Sequence, residues 1–437
     1  MRKKSNRYKN SFFVQLFCGL LFALFSFSFL YFLQGDLLAK AQYVYSEGIT
    51  TYSILPGALI ITFILLVIQW VTRIILPFKD NYYAISYIPS CILLAIATSI
   101  DDKMLLSFSL GNFVWILPML LCIYVFIVHI LYKVCSLENS NNKSQINRHI
   151  WTNSFLLLIQ FISIGAYSNT NDIFTYELKT ERYISEEKYD DAAKVGEKSL
   201  RSSRRLTELR MFALANNGKL GEMLFNYPQY FGAKGLLDVS DTLPKIYRVS
   251  SSDVCNAMGV YPKEYMNTRE YLEIAFSLID SVHSDKSTNE QKLSTSIKTD
   301  EMTVSTDTVG TINAQMIRDY YYAYLLLDKD LDKFCSLLDT SIVVDLPKAY
   351  GEAVVLAYEH NIDKIALDNN IETTHVLQLQ KLYSHVDTLI INQRTEYKDL
   401  YNSISNKMER INKLRRNYGN TYWWYYDFSD SVANPIY

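Results

Sequence analysis

The chain has 437 residues, 49% hydrophobic and 20% charged, and its net charge of −2 hides two unlike halves. Residues 1–167 carry 12 Lys and Arg against 6 Asp and Glu, whereas residues 168–437 carry 31 against 39. A charge-poor first half speaks against a wholly soluble protein, and a second half of soluble charge density speaks against a transporter that is nearly all membrane. The acidic balance of that second half also counts against sequence-general nucleic-acid binding, which needs a basic face.

Five apolar stretches approach the length of about 20 residues that a bilayer core requires. They are Phe12–Leu33, Ile54–Ile75, Tyr83–Ile100, Asn112–Tyr132 and Ile150–Tyr167, the third and fifth being the shortest. Lys and Arg between them alternate as 5, 1, 2, 1 and 3 from the N-terminus onward. An excess of positive charge marks the cytoplasmic side, so the alternation predicts a cytoplasmic N-terminus and five crossings of the cytoplasmic (inner) membrane. Everything after Tyr167 is then expected to be extracytoplasmic (periplasmic). Trp70, Trp115 and Trp151 fall near span ends, where an interfacial aromatic belt places them. Ala39-Lys40-Ala41, after a basic N-terminus, also has the form of a signal-peptidase site. The apolar run before it is longer than a signal peptide's, and cleavage would leave four spans with the second half on the same side.

The spans contain no Asp, Glu or Lys, which are the groups that ion-coupled transport uses. Arg73 and His129 lie near the cytoplasmic ends, where snorkelling accounts for them. Gln160 is the strongly polar side chain deep in a span, and an interhelical hydrogen bond is its expected work. Pro89 and Pro118 are ordinary for membrane helices. The first half reads as an anchor or assembly surface in the lipid bilayer.

From Asn171 the periodicity is helical. Asp172 can cap a helix through Tyr176, Leu178, Tyr183 and Ile184, and Tyr189 opens a second through Val195 and Leu200. Small Ala192 and Ala193 let two antiparallel helices approach closely. The run EKYDDAAKVGEKSL resembles the second helix of a tetratricopeptide-type repeat, with Tyr176, Tyr183, Tyr189 and Ala192 at its large and small packing positions. It departs from that pattern in having no Gly in the first helix, Gly196 where a bulky residue is usual, and no Pro after the second helix. Weaker units are Leu206–Phe225 and Met316–Leu338, the latter continued by Leu346–Tyr358. A helical domain without true repeats is the alternative.

Ser284–Thr311 is rich in Ser, Thr, Asp and Lys and nearly without aromatics, so it is expected to be a disordered loop. The organisation expected is therefore all-α. A bundle of about five transmembrane helices (1–167) precedes an α-solenoid-like, tetratricopeptide-like domain in two parts (168–283 and 312–437), with the loop (284–311) between them. A long polar helix is expected over Thr374–Tyr418 with a break near Asn392. On it Lys407, Arg410, Lys413 and Arg415 form a partly basic face, suited to solvent, to lipid head groups or to an acidic partner.

The run YGNTYWWYY at Tyr418–Tyr426 closes the pattern, with Gly419 suited to end the preceding helix. Five consecutive aromatics should not stand in water. They either fold back to cap the helical stack or meet a partner or membrane surface, which makes Trp423 and Trp424 candidate partner-binding residues. Tyr320, Tyr321, Tyr322 and Tyr324 form a second group. A helix steps 100° per residue, so Tyr320 and Tyr324 share one face, expected in the core, and Tyr321 or Tyr322 is expected to point outward as a docking anchor. A multi-pass N-terminus, a degenerate helical-repeat tail and this aromatic end together resemble an uncharacterised family of bacterial multi-pass envelope proteins. That resemblance implies architecture and no activity.

No phosphate-binding Gly motif, HExxH, CxxC or GxSxG occurs. His283, His360, His375 and His385 form no i,i+4 pair, so no metal or cofactor site is expected. Glu359-His360 is an acidic–imidazole pair without a nucleophile beside it. Asp101-Asp102 reads as a polar loop end. Cys255 and Cys335 lie on the outer side, where a disulfide is chemically allowed. The function expected is a non-enzymatic multi-pass membrane protein presenting an extracytoplasmic helical-repeat docking surface to an envelope protein partner. The alternative is an accessory subunit of an envelope polysaccharide or lipid transfer/transport enzyme complex.

Overall fold

Uncharged apolar runs satisfy their backbone groups best as helices, and the second half carries helical periodicity and good capping residues. The computed structural model is accordingly helical almost throughout. It describes residues 2–76, 78, 80–100, 105, 113–136, 145–239, 248–262, 266–285, 298–299, 302–303, 312–338, 346–367 and 373–431. The chain forms two compact units, Met1–Leu178 and Lys179–Tyr437.

The first unit contains α1 (Arg2–Ser28), a π-helical turn (Phe29–Leu33), α2 (Gly35–Tyr45), α3 (Ile54–Ile75), a 3₁₀ segment (Asp80–Tyr87), α4 (Ile88–Thr98), α5 (Phe113–Ser136) and α6 (Gln145–Tyr167). Its core joins Val14, Cys18 and Phe22 of α1 to Ala58 and Leu65 of α3, Tyr87, Leu94 of α4 and Leu157 of α6. Three helical stretches among the described residues are long and apolar enough to cross a membrane: Phe12–Leu33, Ile54–Ile75 and Asn147–Tyr167. Their outer faces are apolar, with Leu59, Ile60 and Phe63 of α3 and Phe155 and Ile162 of α6 exposed, which is compatible with membrane association.

Five spans were expected, and the third departs most clearly. Tyr82 is non-helical (φ −128°, ψ 28°), and Pro89 lies in the first turn of α4, which has only 11 residues. Such a helix is about 16 Å long, against about 30 Å of hydrocarbon. Proline lacks an N–H and disfavours helical geometry before it, which explains the late start. The 3₁₀ backbone is instead held by side chains: Asn153 Oδ1 accepts from Ala84 N at 2.7 Å, and Gln160 Nε2 donates to the Ala84 carbonyl at 3.0 Å. Gln160 thus makes the interhelical bond expected of it. Gln69 adds a buried pair of bonds, to Tyr83 Oη (3.0 Å) and Ser86 Oγ (2.9 Å). In the fourth run the described apolar stretch is the shorter Trp115–Ile130.

The second unit opens within α7 (Asp172–Ser185). It continues with α8 (Tyr189–Lys194), α9 (Arg204–Asn216), α10 (Leu220–Met223), α11 (Ser251–Met258), α12 (Thr268–Asp285), α13 (Ala314–Leu327), α14 (Leu331–Leu337) and α15 (Lys348–Leu367). The series ends with α16 (Thr373–Tyr383), α17 (Thr388–Ser403), α18 (Lys407–Tyr418) and α19 (Tyr422–Phe428). Two helices are central. Every residue from Ala349 to Ala357 of α15 is buried, as are Tyr320–Ala323 and Leu325–Leu327 of α13. Helix α13 packs against α10, α11, α12 and α14, and α15 packs against α10, α14, α16, α17 and α19. A solenoid repeat touches only its sequence neighbours, whereas here α10 and the C-terminal α19 both close onto α15.

The polar tail is three helices, not one with a break at Asn392. Asp387 Oδ1 accepts from Leu389 N, and Asn406 Oδ1 accepts from Met408 N and Glu409 N, so each is a helix N-cap. Asn392 lies inside α17. Most of Ser284–Thr311 lies outside the described residues. Within it Lys298–Thr299 (β2) and Met302–Thr303 (β3) pair antiparallel, and β3 also pairs with Tyr261–Pro262 (β1), in the order β1-β3-β2. Cys255 and Cys335 are both free and buried. Burial pushes the Cys335 thiol up to about 12, and no disulfide joins the two.

Candidate functional site: a cleft beside the C-terminal aromatic helix

The outward-facing anchors expected from the tyrosine cluster and the aromatic end are inside. Tyr321 and Tyr322 are 2% and 8% exposed, and Trp423 and Trp424 are 0% and 8% exposed. A 100° step turns Tyr321 or Tyr322 outward on a helix with a broad solvent face, but α13 is packed by α10, α11, α12 and α14 and keeps Gln315, Arg318 and Tyr324 at its surface. Tyr321 packs on Phe276, and Tyr322 packs edge-on against Phe334 and Tyr350 while its hydroxyl donates to the Leu337 carbonyl (3.1 Å). Tyr320 is fully buried and Tyr324 only partly so.

The aromatic end folds back onto α15. Trp423 Nε1 donates to the Glu352 carbonyl (2.8 Å), and the Tyr422 amide donates to Glu352 Oε2 (2.6 Å). Tyr425 Oη donates to the Leu327 carbonyl at 2.7 Å. Phe225 meets the rings of Tyr422 and Tyr425 at 5.3 and 5.2 Å. Glu352 is 1% exposed, and burial raises its carboxyl to about 7, against the lowering effects of the Tyr422 amide and Lys348. Asp319 on α13 is likewise raised by burial, to about 6.

Where α18 turns into α19, a cleft of about 380 Å³ opens. One wall is the last turn of α18 and the turn after it, with Arg415, Arg416, Asn417 and Asn420. Gly419 makes this turn with φ −64°, so it is not there for left-handed backbone. A Cβ would stand 2.3 Å from the Arg415 carbonyl oxygen, and that close approach is what requires glycine. The facing wall carries Glu197, Leu200 and the loop Phe225–Tyr230. Gly196, at φ 62°, supplies the left-handed residue that turns the chain after α8 toward Glu197. This accounts for a glycine where the tetratricopeptide pattern has a bulky residue.

Arg415 is held in place. Its Nη2 donates to Tyr230 Oη (2.6 Å), and Tyr230 Oη donates in turn to the Leu200 carbonyl (2.8 Å). Its guanidinium lies 5.3 Å from the centre of the Trp424 ring and off the hydroxyl end of Tyr230, 6.0 Å from that ring's centre. Neither Arg415 nor exposed Arg416 pairs with a carboxylate among the described residues. Beneath the loop, Tyr227 Oη donates to the Ala193 carbonyl (2.6 Å). Burial, with the Glu197 charge second, pushes the Tyr227 hydroxyl to about 12.

Glu359 is not poised beside His360 for chemistry. Its Oε2 accepts from Arg394 Nε and Nη2, both at 3.0 Å, and Lys398 lies 3.4 Å from its other oxygen. The His360 ring lies tilted against Tyr426, 5.7 Å between ring centres. His385 Nδ1 lies 2.8 Å from the Lys381 carbonyl oxygen, at the surface. Asp101 and Asp102, and the side chains of His283 and His375, lie outside the described residues. Among those described, no three His, Cys, Asp or Glu side chains come together as metal ligands do. Of the basic face expected on α18, Arg410 is tied to the Ile404 carbonyl and Arg415 to Tyr230, leaving Lys407 and Lys413 in solvent. Sequence reasoning included Arg415 in that face but missed Arg416, Tyr230 and Glu197. The adjacent Arg415-Arg416 pair just ahead of Gly419 was the available signal.

Fold and cleft together define an all-helical protein with membrane-length apolar helices in one unit and an arginine-bearing cleft in the other. The chain belongs to a family of unknown function (DUF6057), which matches residues 117–263 and 281–429. The match begins within α5 and takes in most of the second unit. No curated protein and no solved structure matches the chain.

Proposed function

We propose that this chain is a multi-pass protein of the cytoplasmic membrane that presents its second unit outside the cytoplasm as a docking domain for an envelope protein partner. The observation that supports this reading most is the cleft beside α19, where a guanidinium held by Tyr230 and Trp424 and an exposed second guanidinium stand without carboxylate partners among the described residues. A charge ordered in this way stabilises little within its own chain and suits an incoming group. Of the aromatic candidates Trp424 contributes, by orienting Arg415 and not by exposure, while Tyr321, Tyr322 and Trp423 are outside the cleft lining.

A photocrosslinking amino acid at Asn417, in intact membranes, tests this. The expected result is a discrete adduct with one protein that disappears when Arg416 is changed to Glu. Adducts with lipid alone, from this and other exposed positions of the second unit, would overturn the reading. If the partner is an envelope polysaccharide or lipid transfer enzyme, the narrower role of accessory subunit follows.

A further inference from the structure

Building on the docking reading, we propose that the cleft beside α19 binds a short extended peptide segment bearing carboxylates, with Arg415 and Arg416 as its anion contacts. The two walls differ in chemistry. The α18 wall offers donors: the fixed edge of Arg415, the exposed Arg416 and the amides of Asn417 and Asn420. The facing wall offers an acceptor, Glu197, and an apolar side chain, Leu200, which is 57% exposed. An extended peptide is complementary to both at once. Its carboxylates and carbonyls face the donors, and its N–H groups face the acceptor.

Other ligand classes fit less well. A neutral sugar would leave the two guanidinium charges without a counter-charge. A phosphate or anionic head group brings no N–H donor for Glu197, which the backbone of a peptide supplies. The volume of about 380 Å³ lies within the range of roughly 300–1,000 Å³ typical of small-ligand pockets. It therefore admits a few residues of chain, not a folded surface. A planar guanidinium fixed by a neighbouring hydroxyl pairs with carboxylate in two parallel bonds, which lysine does not reproduce.

The test uses the full-length protein in nanodiscs of neutral lipid and an array of fluorescein-labelled tetrapeptides with Asp or Glu at alternate positions. Fluorescence anisotropy should show binding that weakens at least about tenfold when the carboxylates are replaced by amides. It should also weaken as salt rises from about 50 to about 500 mM. R416E, at an exposed position, should lose about tenfold with unchanged helix content, and R415K should lose several-fold. Lys-containing tetrapeptides should gain on R416E. No binding by any acidic tetrapeptide, equal binding of the amide versions, or displacement by equimolar inorganic phosphate or galacturonic acid would overturn the proposal. A partner captured from Leu389, which is exposed and outside the cleft lining, with none captured from Asn417, would sink the cleft proposal while leaving the docking reading intact.

Discussion

Glu352 holds the start of α19 with a carboxylate that is almost wholly buried, and its pKa is raised from 4.5 to about 7. A carboxyl whose pKa is raised on folding favours the folded state while it is protonated. That stability is fully present below the unfolded value and is lost as pH rises through the folded one. The second unit should therefore melt at lower temperature as pH climbs from about 4.5 to about 7, a loss on the order of 3 kcal/mol from this group. E352Q, which keeps an acceptor for the Tyr422 amide, should make the profile shallower and leave the part that comes from Asp319, whose carboxyl burial raises to about 6. An unchanged slope of Tm against pH in that variant would show that the carboxyl stays ionised. The Arg394–Glu359 pair predicts a different outcome. Arg394 is 8% exposed, so E359Q leaves a buried cation without its counter-charge and should cost about 3 kcal/mol. H360N should cost less than about 1 kcal/mol. A denaturant titration of both separates an ion pair from an acid–imidazole site.

Helix α19 has seven residues, five of them buried: Tyr422, Trp423, Trp424, Tyr425 and Phe428. So short a helix has no stability of its own, and it persists because its rings pack on α15 and its first turn is capped by Thr421 and Glu352. W423A should cost about 3–5 kcal/mol. Truncation after Asn420 should expose α15 and make the second unit sensitive to protease, as read by its loss of protection relative to the intact chain. Y321A and Y322A belong to the same class and should lower Tm. A variant at either position that kept its Tm while losing a partner would contradict the burial of α13.

At the scale of the whole chain, topology is set by which apolar helices cross the bilayer. Three membrane-length helices are present among the described residues, whereas the count of Lys and Arg in the loops favours five crossings with the N-terminus inside. The fourth crossing would be α5, whose 24 residues are sufficient in length. The third would have to use the 3₁₀ segment Asp80–Tyr87 together with α4, its backbone supported by Asn153 and Gln160. Non-helical backbone at membrane depth is tolerated where protein groups satisfy it in this way. A periplasm-active reporter fused after Asn171 should be on, and one fused near Asn141 should be off. The reverse pattern would place the second unit in the cytoplasm.

The sequence alone determined the class of each half. Charge density separated an apolar half from an acidic one, and helical periodicity and capping residues predicted an all-helical chain, because both are local properties of the residues. Gln160 was legible as an interhelical bond for the same reason, since an amide in an apolar run needs a partner. Tertiary structure decided which helices are surrounded. Periodicity assigns one face to the core, but α13 and α15 are enclosed on most sides, so Tyr321, Tyr322, Trp423 and Trp424 became packing residues. It also decided the cleft, which brings together Glu197, Tyr230 and Arg415 from segments 33 and 185 residues apart. No periodicity links such distant positions. Only the return of α19 onto α15, driven by burial of its aromatic rings, places them side by side.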